Sequence, residues 1–194
     1  MILLSKDYEE VEALTVVDYL RRADITIDMV ATQGSLETQG AHGIKVLANK
    51  LIEDIDSETY DIIITPGGAH GADLLAADER VLNLIRKQNE GGLYVASICA
   101  SPIVLEAAGL AKRIEGTMYP AMADRVQFKK YNSVQLVVND KDQKVITSQG
   151  PATAVYFALE IIKELKGEET MTKIADGLLL NLVHDRIKAG NWAF

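Results

Sequence analysis

The sequence predicts an α/β sandwich built on a mostly parallel central sheet. Three observations carry this reading. Strand-like and helix-like segments alternate along all 194 residues. Two apolar runs, Asp61 to Thr65 (DIIIT) and Leu93 to Ile98, are nearly continuous, as in strands covered on both faces. Each run ends in residues that turn the chain sharply, Pro66-Gly67-Gly68 and Cys99-Ala100-Ser101-Pro102. The length suits one domain, 1–194, and no internal repeat, linker or low-complexity tract divides it.

In order, residues 1–4 (MILL) read as a strand. Asp7 is placed to cap a helix whose apolar positions include Val11, Leu14, Val17 and Leu20. Ile25 to Ala31 is β-rich, and a Gly-containing stretch, 33–43, leads to a short strand or hairpin at Ile44 to Leu47. DIIIT follows. Asp78 to Asn89 is helical and stops at Gly91-Gly92. Leu93 to Ile98 is the next strand, and Pro102 to Ala108 the helix after Cys99. Residues 112–133 look irregular. Val134 to Val138 and Lys144 to Thr147 are placed to pair around a turn at Asn139 to Asp142. Pro151 opens a helix to about Leu165. A final single helix covers Glu169 to Ile187, and Trp192 and Phe194 at the tail need a surface to pack against.

Composition narrows the function. Asp and Glu outnumber Lys and Arg by 28 to 20, a formal net charge of -8, with no basic block. This argues against nucleic acid or an anionic membrane as partner. A single cysteine excludes an intramolecular disulfide and, with no secretory leader, points to a reducing cytoplasm. No Cys and His cluster has metal-ligand spacing, so neither a metal nor another cofactor is expected.

Sites in open α/β sheets form beyond the carboxyl ends of the strands. Cys99 sits where a strand turns into a helix. There helix amides favour a thiolate, and the Ala100 amide is placed to face an oxyanion. A buried structural cysteine is the plain alternative. Gly67 and Gly68 let backbone amides face a ligand without Cβ obstruction, although an ordinary turn has the same residues. Glu9, Glu10 and Glu12 open the first helix. Glu9 and Glu10 suit the helix dipole, whereas Glu12, if it points to the sheet, can share a proton with the thiol. His70 can reach the cleft or be a solvated turn residue. His42 and His184 give no catalytic signal.

Together these segments resemble the ThiJ/PfpI superfamily, in its DJ-one branch, from Glu9 to about Leu165. Glu9-Glu10-Val11-Glu12 resembles the family's acidic helix start and Asp61-Ile-Ile-Ile-Thr-Pro-Gly-Gly its glycine turn. Ala96-Ser-Ile-Cys-Ala-Ser-Pro resembles its cysteine elbow, and Thr147-Ser-Gln-Gly-Pro-Ala-Thr a later signature. The resemblance implies a flavodoxin-like three-layer α/β sandwich and a homodimer. It implies Cys99 as reactive thiol, Glu12 as its protonated partner, and the Gly68 and Ala100 amides as oxyanion donors. Family activities are glyoxalase action on methylglyoxal, deglycation, peroxide sensing and chaperone behaviour. Tyr119 departs from the pattern, standing where many members have His, and tyrosine is a poor general base near neutral pH. His70 or Glu12 must then carry the proton transfers. Ala100, where the protease-like branch has His, argues against proteolysis.

Three functions follow: an enzyme acting on a small carbonyl substrate through Cys99, an oxidation-prone sensor or protective protein with little turnover, and a scaffold whose cleft is idle.

Overall fold

The computed structural model describes residues 1–55 and 59–192. Its strands are β1 (Ile2–Leu4), β2 (Met29–Ala31), β3 (Glu37–Gln39), β4 (Lys45–Leu47), β5 (Lys50–Leu51), β6 (Ile62–Thr65), β7 (Tyr94–Ile98), β8 (Glu115–Gly116), β9 (Lys130–Tyr131), β10 (Val137–Asp140) and β11 (Val145–Ser148). The helices are α1 (Glu10–Arg22), α2 (Ala69–Ala76), α3 (Glu79–Glu90), α4 (Pro102–Ala107), α5 (Ala154–Lys166), α6 (Glu168–Gly177) and α7 (Leu180–Lys188). Seven strands form one sheet in the order β10-β11-β7-β6-β1-β2-β5. All neighbours are parallel except β10 and β11, which pair antiparallel.

The continuous apolar runs are explained by the two faces of this sheet. Ile62, Ile64, Ala96 and Ile98 join Ala13, Val16 and Leu20 of α1 and Phe157 and Ile161 of α5 in one core. Ile63 and Val95 point the other way, into a core with Leu75 of α2, Ile85 of α3 and Val104 of α4. Each fully buried Leu or Ile contributes about 1.5–3 kcal/mol, so the two layers pin the register of β6 and β7. The carboxyl ends of β6, β7 and β11 therefore lie side by side, with Thr65 opposite Ser97 and Ser148 opposite Ile98.

Several expectations are corrected. Asp7 does not cap α1, which starts at Glu10; its backbone is left-handed (φ 59°) and its side chain binds elsewhere. The strand expected from Ile25 is only Met29–Ala31, and the one expected at 134–138 begins at Val137. Ala69–Ala76 forms a helix where the sequence pattern predicts no element. Within 112–133 lie 3-10 turns and the short β8–β9 pair. The expected final helix is two helices, broken where Leu179 takes φ 60°. Trp192 is half exposed, and Phe194 lies outside the described residues. Among the described residues, no helix is long and apolar enough to cross a membrane.

Candidate functional site at the Cys99 elbow

The site begins with the backbone of Cys99. Between β7 and α4 the chain turns so tightly that Cys99 adopts φ 64°, which costs a side-chain-bearing residue about 1–2 kcal/mol. The turn is held from both sides. The Cys99 amide donates to Ser148 O (2.9 Å), and its carbonyl accepts from the Tyr119 amide (2.9 Å). Ser101 Oγ donates to Pro66 O, tying the start of α4 to the glycine turn. Pro102 at the first position of α4 gives up an amide that has no helical partner there.

Glu12 comes from α1 and is fully buried. Its Oε2 accepts from the Gly67 amide (2.7 Å). Its Oε1 is buried without a well-formed hydrogen bond, and the carboxyl is coupled to the Cys99 thiol. Burial pushes Glu12 up to about 7, against the pull of the thiol and the Gly67 amide. The thiol is pushed up to about 12, first by burial and then by repulsion from Glu12. The amides of Ala100 and Gly68 pull it back down. The lowering expected at a helix N-terminus is thus outweighed by burial. The physical picture is one proton for two acids. With the proton on Glu12 the repulsion disappears, and the carboxyl can donate to a thiolate.

The two glycines have different reasons. A Cβ on Gly67 would stand 2.6 Å from Cys99 Cβ and 3.1 Å from its Sγ, and would collide with the Glu12 carboxyl. Gly68 takes φ 89°, and its Cβ would meet Asp7 O at 2.5 Å and Glu9 N at 2.7 Å. Only glycines let the turn pass between thiol, carboxyl and the β1–α1 loop. Tyr119 is partly exposed beside Gly150 and bonds the elbow through its backbone.

Two histidines are held by carboxylates of the β1–α1 region. His70, in the first turn of α2, has Nδ1 2.7 Å from Asp7 Oδ2. His42 has Nδ1 2.8 Å from Glu10 Oε2, and its amide donates to Glu10 Oε1 (2.7 Å). Glu10, in the first turn of α1 as expected, is also a buried latch for the 40–44 loop. Glu9, Glu10 and His42 bring ligand atoms within 4.8 Å of one another, a grouping the sequence reading missed. Residues 32 and 63 apart carry no spacing signal. A groove of about 610 Å³, lined in part by Arg113, Glu115, Lys129 and Asp140, holds none of the candidate site residues.

The same elbow, glycine turn and acidic helix start lie within residues 1–164, which match the model of the DJ-1/PfpI family. The chain belongs to that family. The crystal structure of Drosophila melanogaster DJ-1beta superposes with a TM-score of 0.87 at 33% identity, covering 92% of this chain and 95% of that one. Protein DJ-1 homolog A of Arabidopsis thaliana is 34% identical over 93% of this chain, but the chain spans only 45% of its length. A Caenorhabditis elegans relative named glutathione-independent glyoxalase DJR-1.2 is 32% identical over 93% of this chain and 95% of its own. Membership in the DJ-1/PfpI family accords with the flavodoxin-like sandwich. In this member the structure brings Cys99, Glu12, Gly67, Gly68 and Ala100 together. Tyr119 joins the elbow through its amide, and His70 stands on the first turn after Gly68.

Proposed function

We propose that this protein converts small reactive 2-oxoaldehydes, methylglyoxal among them, into 2-hydroxy acids through a covalent adduct on Cys99. The observation that carries the reading is the buried Glu12 carboxyl paired with the half-buried Cys99 thiol, whose thiolate the Gly68 and Ala100 amides favour. The Cys99 sulfur adds to the aldehyde carbon, and the carbonyl π pair moves to oxygen. The Gly68 and Ala100 amides support that oxyanion, and Glu12 gives it a proton. In the resulting hemithioacetal the aldehyde C–H leaves as a proton, and a proton returns at the neighbouring carbon. The product is a thioester of the 2-hydroxy acid. Water cleaves it and restores the thiol. The sum is substrate plus one water, with no oxidant and no cofactor. The glyoxalase name of the nematode relative supports the same class of chemistry. Deglycation, release of such carbonyls from their adducts with amines or thiols, would begin from the same nucleophile.

The test is lactate formation from methylglyoxal, followed by NMR with metal-free protein. Wild type forms lactate and Cys99→Ala does not; equal consumption by both defeats the proposal. A second reading, an oxidation-sensing thiol, draws support from the partial exposure of Cys99 and from amides placed to hold sulfinate oxygens. Mild peroxide followed by peptide mass spectrometry separates the two. If Cys99 stays reduced while free cysteine oxidises, the sensor reading fails. We further propose a cytoplasmic homodimer, for which exposed Val11, Ile44 and Leu47 offer apolar surface near α1 and β4.

A further inference from the structure

The shift of hydrogen between adjacent carbons needs a base. Glu12 exchanges protons with the substrate oxygens, first giving one to the oxyanion, and its Oε2 is committed to the Gly67 amide, so the carbon-to-carbon transfer is assigned to a separate group. Tyr119, a phenol, is a poor base near neutral pH. We infer that Asp7 and His70 form the dyad that moves this proton, with His70 as the catalytic base and Asp7 as its positioning residue. The inference rests on the carbonyl reading above and assigns a role that reading leaves open.

Four observations on this chain converge. The Nδ1 of His70 lies 2.7 Å from Asp7 Oδ2, so an ionised Asp7 accepts the Nδ1–H and leaves the lone pair on Nε2. Among the described residues that Nε2 has no hydrogen-bond partner, and the side chain is 62% exposed. His70 follows Gly68 by two residues, and the Gly68 amide is one of the two that favour the thiolate. Asp7 holds its place in spite of a left-handed backbone (φ 59°) that favours glycine, and its carbonyl packs against the Gly68 turn. A carboxylate orienting an imidazole two residues beyond the Gly68 turn is the arrangement by which a base is held in one tautomer.

The step balances. Nε2 takes the proton from the carbon bonded to sulfur; the C–H electron pair becomes the carbon–carbon double bond, and the ketone π pair moves to its oxygen. The ionised Glu12 takes the hydroxyl proton from the sulfur-bearing carbon and gives it to that ketone-derived oxygen, and the imidazolium returns its proton to the adjacent carbon as the thioester carbonyl forms. Asp7 stays ionised throughout and supports the transient positive charge.

The experiment compares wild type, His70→Ala, Asp7→Asn and the double variant for lactate formation from methylglyoxal. Asn accepts a left-handed φ, so Asp7→Asn keeps the backbone while removing the charge. His70→Ala is expected to lower kcat at least about 100-fold with little change in KM. Asp7→Asn is expected to lower it about 10-fold, and the double variant to be no worse than His70→Ala. Added imidazole is expected to restore turnover to His70→Ala and not to Cys99→Ala. Methylglyoxal deuterated at its aldehyde carbon is expected to show a larger isotope effect with His70→Ala than with wild type. His70→Ala turning over within twofold of wild type overturns the dyad. So does a loss that neither imidazole rescue nor the isotope effect reports. If wild type itself makes no lactate, the carbonyl reading fails and takes the dyad with it. If wild type is active, Cys99→Ala is dead and His70→Ala is normal, only the dyad fails.

Discussion

Replacing Glu12 by Gln tests the shared proton through stability. Glu12 is fully buried and its folded-state value is about 7, against 4.5 for a free glutamate. Below pH 4.5 it is protonated in both folded and unfolded chains and adds no pH dependence. Between 4.5 and 7 the folded chain binds the extra proton, so unfolding becomes easier as pH rises. Above 7 the penalty is constant at about 3 kcal/mol, from 1.36 kcal/mol per pH unit. Gln keeps an oxygen for the Gly67 amide and carries no charge to bury. At pH 8.5 Glu12→Gln should therefore exceed wild type by about 3 kcal/mol, roughly 6–12 °C in Tm for a chain of this size. The advantage should fade towards pH 4, and lactate formation should fall at every pH. Thermal melts from pH 4 to 9 provide the assay. A stability difference that does not vary with pH, or a variant less stable at pH 8.5 than at pH 4 relative to wild type, refutes the reasoning.

Other outcomes follow from single contacts. Gly67→Ala forces a methyl against Cys99 and the Glu12 carboxyl, so iodoacetamide labelling and turnover should both change, with a stability loss of about 1–3 kcal/mol in denaturant titration. Gly68→Ala, pressed against immovable backbone at a left-handed φ, should lose more stability than Gly67→Ala; the reverse order contradicts the turn geometry. Leu179→Gly relieves an exposed residue at φ 60° and should raise stability by about 1 kcal/mol, whereas a loss would mean that Leu179 packs in solution. Glu10 raises the pKa of His42, so the contribution of that pair is full below the unfolded histidine value and is lost as pH rises through the folded one. His42→Ala should accordingly destabilise more at pH 5.5 than at pH 9 in thermal melts.

The strands that build the site were legible because they are buried on both faces. Asp61 to Thr65 and Leu93 to Ile98 needed continuous apolar runs, and the residues that end them had to turn the chain. The elbow, the glycine turn and Glu12 were legible for the same reason, since each lies next to such a strand or in the first turns of a helix. What escaped reading depends on tertiary placement. Nothing local marks Leu179 as a break, because a leucine there carries no glycine-like signal. Glu10 looks like any helix-start carboxylate until the 40–44 loop folds over it. Asp7 and His70, 63 residues apart, meet only because β1 and β6 are neighbours in the sheet. The direction of the thiol's shift is not legible locally, because helix geometry favours ionisation while burial and Glu12, both tertiary, oppose it.

A single-turnover acid quench tests the central claim most directly. Wild-type protein is mixed with methylglyoxal, stopped at intervals, and the Cys99 peptide is weighed by mass spectrometry. An adduct of one methylglyoxal unit should form on that peptide and decay as lactate appears, and should be absent from Cys99→Ala. Lactate produced while the Cys99 peptide stays unmodified throughout would contradict the account.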